Sequence, residues 1–345
     1  MKAAIYPGQG QPISVQSLPD PEPGADDVVI KVHRCGICGT DLSMTKGGMW
    51  DYGPGVQFGH EYAGEIVATG PLVSSFRVGD RVAVLPSVAC GECQGCRSHG
   101  NNVLCHASPA TAMVGFAEFA RVPASVLTRL PSTLSMADGA LIEPLAISLY
   151  GVKLAAIQPG DRVLVLGGGT VALYAMYWAR RLGAGKVVAM SRSSRRKDLS
   201  LNMGADSFVP YGENEIGEVI EALGGPPQIV FECVGAEGML GKSIMHVGQF
   251  GKVVSLGFCT SPDPIIPGMA SYKCASMQFA VGYSMKEFLY IADQLDRDRL
   301  HGGGHADPKA IITNDVPLAR MPDIFEALRS PNHETKVHIH PWAGV

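Results

Sequence analysis

The chain has 345 residues, 46% of them hydrophobic and 17% charged, which fits two domains with sizeable cores. A net charge of −4 carries no basic excess and argues against nucleic acid as a partner. No apolar run reaches the ~18 residues of a membrane helix, and MKAAIYPGQG meets Pro7 and Gly8 before a secretory core can form. A cytoplasmic protein is expected, in which nine cysteines point to metal rather than disulfides.

Residues 1–35 alternate short β-rich runs with Pro and Gly, Val28–Val32 being the clearest strand. The stretch HRCGICGTDLSMTKGGMWDYGPGVQFGHEYAGEIVATG follows from His33. It carries a thiol at Cys38, a hydroxyl at Thr40, a carboxylate at Asp41, and an imidazole and carboxylate side by side at His60 and Glu61. Thiolate, neutral imidazole and carboxylate are the donors from which catalytic zinc sites are built, one position being left open. A buried Cys and a core His are the plainer alternative, and only a fold can bring Cys38 and His60 together. EIVATG and VGDRVAVLP continue the β-rich pattern to about residue 85, with Asp80 a structural turn residue.

Cys90, Cys93, Cys96 and Cys105 then read C-x2-C-x2-C-x8-C, with Gly91 and Gly95 to bend the backbone. Four thiolates at this spacing close tetrahedrally around one zinc and leave no open position, the mark of a structural site. His99 and His106 nearby are expected to be solvent-exposed. GFAEFARVP (115–123) is a strand, and MADGALIEPLAISLYGV (136–152) reads as one helix. Within it Glu143 stands among apolar neighbours, and a partly buried Glu needs a partner.

From Gln158 the pattern becomes βαβ: GDRVLVLGGG, a helix VALYAMYWARRLGA, and KVVAMS. Gly167, Gly169 and Ala172 spell G-x-G-x-x-A. Set between a Val-rich strand and a helix opening at Thr170 and Val171, they predict a pyrophosphate cradle of backbone N–H groups. Tyr174, Tyr177 and Trp178 are expected to pack. Where an NAD enzyme carries an acid for the ribose 2′-OH, this chain has Ser191-Arg192, followed by Arg195 and Arg196. Losing the carboxylate and gaining guanidinium forks favours a 2′-phosphate, so NADP(H) is preferred over NAD(H). Further units follow: helices near 213–224 and 236–247, strands 228–235 and 251–258, with Cys233 and Cys259 as buried thiols at strand ends. A helix spans 285–296, and HGGGHADP, with His301 and His305, reads as a loop.

The motifs GICGTDL and GHEYAGEIVATG, together with the four-Cys lobe, resemble those of the zinc-dependent medium-chain alcohol/polyol dehydrogenases, and the resemblance runs from KAAIYPG to KVHIHP. It implies an α/β protein. A β-rich GroES-like catalytic domain (1–150 and 283–345) is interrupted by a Rossmann domain with a doubly wound parallel sheet (151–282), and the active site lies between them. It implies two zinc ions per chain. Cys38 and His60 hold the catalytic one, Asp41 orients His60, and Glu61 and Glu143 are alternative third ligands. The lobe of the family usually has seven residues before its last Cys; RSHGNNVL is eight, so the loop must bulge. Cys at the position of Glu143 would mark the alcohol dehydrogenase ligand set, which this chain lacks.

The implied reaction is reversible hydride transfer between NADP(H) and a secondary alcohol or polyol and its ketone. Thr40 takes the alcohol proton, and the family's relay His is replaced here by Ser43. The segment 269–283 is expected to pair with its copy in a homodimer, or a homotetramer built from it. Rival readings are an NAD-linked polyol or threonine-type enzyme, a zinc-free reductase, and a non-catalytic cofactor-binding protein; the last two are expected to lack zinc ligands that this chain keeps. Trp50, Tyr52, Phe58, Met113 and Phe116 suggest an apolar substrate wall, each equally a core residue. The substrate itself is not legible.

Overall fold

The computed structural model describes residues 1–47, 51–107, 110–303 and 306–344, without the side chains of His99 and Ala110. Trp50 and His305 lie outside the described residues. The chain forms two compact units, Met1–Glu143 with Gly282–Gly303 and Ile312–Val345, and Pro144–Val281 with Gly304–Ile311. The first crossing therefore falls before Pro144 rather than near residue 150, and the short return of 304–311 to the second unit carries no sequence signal.

The first unit is built on a seven-stranded sheet. Its path runs Leu127–Arg129, Arg81–Val84, Glu61–Thr69, Asp27–Gly36, Lys336–His340 and Ile312–Pro317, with Phe119–Pro123 also paired to Asp27–Gly36. The long strand Asp27–Gly36 is the hub because its alternating Val28, Ile30 and Val32 are fully buried. It shifts register against Glu61–Thr69 between Val32 and Arg34, so that Gly36 comes opposite Glu61. On its other side His338 pairs with Gly36. Glu61, Gly36 and His338 thus form one row across three strands, and residues from both ends of the sequence meet there.

The second unit carries a six-stranded, wholly parallel sheet. Numbered along the chain, its strands are Arg162–Leu166, Lys186–Ser191, Ser207–Pro210, Ile229–Glu232, Lys252–Ser255 and Ser276–Phe279, and they lie in the order 3-2-1-4-5-6. That order is the doubly wound dinucleotide-binding arrangement. The central strand RVLVL is buried from Val163 to Leu166, as a strand covered by helices on both faces must be. Tyr174, Tyr177 and Trp178 are buried on the helix Thr170–Arg181, as packing residues should be.

Several local expectations are corrected. Residues 136–152 are not one helix: Met136–Ala140 ends at Leu141, and Ile142–Ala155 begins anew. Pro144 has no N–H for the Ala140 carbonyl, and its ring would collide with that carbonyl, so one continuous helix is excluded. The helix predicted to stop at 296 runs from Met285 to His301 and ends on Gly302, at φ 69°. His301 is therefore helical rather than in a loop. Within 269–283, Pro267–Lys273 is helical and Ser276–Phe279 is the edge strand. Cys259 is partly exposed rather than buried, whereas the Cys233 thiol is buried deeply enough to push its pKa up although the residue as a whole keeps some exposure. Phe58 and Phe116 are core residues, stacked edge to face at 5.0 Å, with Phe325 5.7 Å from Phe58. Among the described residues no helix is long and apolar enough to cross a membrane.

Candidate active site

Cys38 lies two residues after the hub strand and caps the short helix Gly39–Met44. Its sulfur accepts from the Thr40 N–H at 3.5 Å, while its own N–H donates to Asp41 Oδ2 at 2.9 Å. This reciprocal cap fixes the thiol and the Asp41 carboxylate together. His60 immediately precedes the strand Glu61–Thr69, and its Nδ1 lies 3.2 Å from Asp41 Oδ1. With Nδ1 engaged by a carboxylate, Nε2 is the ring nitrogen left to face a metal, the usual arrangement behind a metal-binding imidazole. The donor atoms of Cys38, His60 and Glu61 all lie within 4.8 Å of one another.

Burial works against a charged His60, but Asp41 and Cys38 outweigh it and hold the imidazole pKa well above its ordinary value. Burial likewise opposes the charge on Asp41, and His60, the Cys38 N–H and Tyr52 together keep its pKa below the usual carboxylate range. The Tyr52 hydroxyl donates to Asp41 Oδ1 at 2.7 Å. Thr40 is half-buried and Ser43 exposed on the same helix.

Two partners are not visible in the sequence. Lys336, on the last strand, donates to Glu61 Oε1 at 2.8 Å and Oε2 at 2.5 Å, and to the Ile37 carbonyl at 3.0 Å. Both side chains are 1% exposed. Gly36 makes room for this pair, since a Cβ there would overlap the Glu61 carboxylate. The second partner is Tyr283, whose hydroxyl donates to Glu143 Oε1. Glu143 is buried as expected, yet it falls outside the 4.8 Å group. Burial, reinforced by Glu61 and opposed by His60 and the Tyr283 hydrogen bond, pushes its pKa up to about 7.

Removing one member of a buried ion pair strands the other charge, at a cost of ~3–5 kcal/mol. Lys336→Met is therefore expected to lower the unfolding free energy by about that much at pH 7, as read from urea midpoints. Lys336→Met with Glu61→Gln should recover most of the loss. A single variant as stable as the parent would remove Lys336 from the account.

The four sulfurs of Cys90, Cys93, Cys96 and Cys105 also lie within 4.8 Å of one another. The N–H groups of Cys93 and His106 donate to Cys90 Sγ and Cys93 Sγ, each at 3.4 Å, and that of Cys90 to Cys105 Sγ at 3.3 Å. Hydrogen bonds from the backbone of Cys96 and His106 draw the Cys93 thiol down to about 6, whereas burial and its sulfur neighbours push Cys96 up to about 12. A cation bound among these sulfurs would displace whatever protons they carry. His106 is exposed.

In the second unit Gly167 takes φ 121°, a conformation that a side chain would strain. Gly169 caps Thr170–Arg181 with no side-chain hydrogen bond, and a Cβ there would meet nothing within 4 Å. Val171 and the fully buried Ala172 lie in the first turn. The helix therefore opens on a glycine that supplies no side-chain cap. Arg196 donates to the Gly168 carbonyl at 3.2 Å, Ser191 ends its strand, and Arg192 is exposed beside it. Tyr211 feels the charge of Arg192, and the Lys242 ammonium lies 4.1 Å above its ring. Neither Tyr211 nor Lys242 was foreseen as a neighbour of this corner.

Residues 24–132 match the alcohol dehydrogenase GroES-like domain, and 170–296 match the zinc-binding dehydrogenase domain. Sorbitol dehydrogenase of Bacillus subtilis (strain 168) is 30% identical, with 99% of this chain and 97% of that protein covered. The (R,R)-butanediol dehydrogenase of the same strain is also 30% identical, over 99% and 100%. Among solved structures, a zinc-binding dehydrogenase from Sinorhizobium meliloti with bound NADP has a TM-score of 0.85 at 30% identity, covering 99% of both chains. Two domain matches in sequence order, and whole-length likeness to dehydrogenases, make the protein an oxidoreductase: the chain belongs to the zinc-dependent medium-chain dehydrogenase family.

Proposed function

We propose that the protein is an NADP(H)-preferring alcohol dehydrogenase or carbonyl reductase that interconverts a secondary alcohol or polyol and its ketone. The observation that carries this reading is the convergence of Cys38, His60 and Glu61 within 4.8 Å. The donor set fits zinc, with a soft thiolate, an imidazole steered by Asp41, and a carboxylate whose remaining lone pairs are free beside Lys336. Bound there, zinc supplies a Lewis acid that polarises the substrate oxygen. Cys38, His60 and Glu61 hold the ion, Asp41 orients the imidazole, and Thr40 accepts the alcohol proton. Glu143 lies close to the site. The four-Cys lobe takes a second, structural zinc. Butanediol and sorbitol in the names of the relatives support a diol or polyol as substrate.

The open glycine turn from Gly167 to Ala172 suits the cofactor pyrophosphate. Ser191, Arg192 and Arg196 suit its 2′-phosphate, in keeping with the NADP of the Sinorhizobium meliloti structure. Arg192→Ala is expected to weaken NADP binding by ~1.5–3 kcal/mol, the range of a charge-assisted hydrogen bond, with little change for NAD. Titration calorimetry with both cofactors reads this directly, and equal losses would count against Arg192. The exposed edge strand Ser276–Phe279, with Phe279 65% exposed, is the surface through which a second copy would extend the sheet into a homodimer.

The reading as a whole is tested on the purified chain. Two zinc ions per chain are expected, with turnover on secondary alcohols or polyols and NADP favoured over NAD. A single zinc, or no turnover across a panel of diols, polyols, cyclic ketones and hydroxy acids, would overturn it.

A further inference from the structure

Two carboxylates flank Cys38 and His60, and they are held in different ways. Glu61 is gripped by the Lys336 ammonium through both oxygens, and its donor atom falls within 4.8 Å of the Cys38 and His60 donors. Glu143 lies outside that radius and accepts a hydrogen bond from the neutral Tyr283 hydroxyl. Among the described residues this is the one hydrogen bond that the Glu143 carboxylate accepts. Both partners are buried, Glu143 at 7% exposure and Tyr283 at 4%. All of these residues belong to the first unit, Tyr283 entering it directly after Gly282.

A buried carboxylate needs a donor or a cation, and leaving it with neither costs more than its hydrogen bond contributes. The Lys336 ammonium of this site is already engaged by both oxygens of Glu61, so a metal held by Cys38, His60 and Glu61 would be the further cation open to Glu143. A fourth protein ligand there would close the site, and closed tetrahedral sites are structural, whereas catalytic ones keep a position open.

We propose that Tyr283 is a positioning residue that holds Glu143 off the metal and so keeps a coordination position free for substrate. The inference rests on the reading of Cys38, His60 and Glu61 as a metal site. The phenol is suited to the task because it satisfies one carboxylate oxygen without adding charge. A lysine there, as at Glu61, would alter the charge of the site; a phenylalanine would leave Glu143 unpaired and free to swing onto the ion.

The test uses the full chain with cobalt(II) in place of zinc, because its d–d and thiolate charge-transfer bands report coordination number. The contribution of the four-Cys lobe is subtracted by means of Cys38→Ser. Tyr283→Phe is expected to change the d–d bands of the remaining site and to slow removal of its cobalt by a chelator tenfold or more. Tyr283→Phe with Glu143→Gln should return both to the parent values. Glu143→Gln alone should leave the bands unchanged, since Glu143 is not a ligand in the parent; a changed spectrum in that variant overturns the proposal even if Tyr283→Phe folds poorly. Unchanged bands and release rate in a folded Tyr283→Phe overturn it as well, with the metal site left standing. If the parent chain shows only the bands of the four-thiolate lobe, the metal site itself is wrong and the inference falls with it.

Discussion

Cys38→Ser and His60→Ala are expected to abolish turnover in a folded protein, whereas Cys93→Ser and Cys105→Ser lower its stability. The contrast follows from where each sulfur sits. Cys38 is a helix cap as well as a proposed metal donor, and serine is among the best caps, so its oxygen can take over the Thr40 N–H. What serine cannot supply is a soft thiolate. Loss of Lewis-acid assistance costs several kcal/mol of transition-state stabilisation, roughly 10³-fold or more in kcat. Cys93 and Cys105 instead belong to the four-sulfur group of the lobe, where a bound metal would itself supply folding energy. Metal analysis, thermal melts and kcat on the same samples separate the cases: one zinc and a near-parent melt for Cys38→Ser, a lowered melt for Cys93→Ser. A Cys38→Ser enzyme with near-parent kcat would sink the zinc mechanism.

Metal uptake at the first site should also depend on pH. Asp41 and Cys38 raise the proton affinity of His60, and that proton must leave before Nε2 can bind an ion. Affinity therefore rises with pH through the raised pKa of the metal-free imidazole, as a pH series of zinc titrations would read.

The four-sulfur group was legible because the cysteines from Cys90 to Cys105 keep a short, fixed spacing, whereas Cys38 and His60 stand in two separate motifs that only the fold brings within 4.8 Å. The glycine turn, like the four cysteines, was legible because it is local: a strand, three glycines and a helix follow one another directly. What the sequence concealed were partners brought together across the fold, by sheet register for Lys336 and Glu61 and by a helix start meeting a loop for Glu143 and Tyr283. Lys336 meets Glu61 across 275 positions, and Tyr283 meets Glu143 across 140. Nothing near Lys336 in KVHIHP marks it as the counter-ion of a buried acid; that follows only from the hub strand pairing on both sides and from Gly36 between them. Other misses had visible signals. Pro144 forbids a helix from 136 to 152, and Gly302 is the natural stop of a helix reaching His301. Phe58 and Phe116 suit a substrate wall or a core equally well, and only their mutual packing with Phe325 decides.

Thr40→Val is expected to reduce kcat for alcohol oxidation by ~10²–10⁴-fold, the span attributed to positioned proton transfer. Valine matches threonine in shape and branching, and the Thr40 N–H that donates to Cys38 belongs to the backbone, so the helix Gly39–Met44 and its cap should survive. The lost group is then only the half-buried hydroxyl next to the Cys38–His60 site. Family resemblance assigns the next proton carrier to a histidine at the place of Ser43. A serine hydroxyl can pass a proton along but cannot hold one near neutral pH, whereas an imidazole with pKa near 6.5 can. Ser43 is also exposed, so water can take its part. Ser43→Ala should accordingly change kcat little, and Ser43→His should speed oxidation below neutral pH. The measurement needs conditions in which a deuterium isotope effect shows hydride transfer to be rate-limiting, for otherwise cofactor release would hide the loss. Under those conditions, a Thr40→Val enzyme with parent kcat would remove the hydroxyl from the proton path.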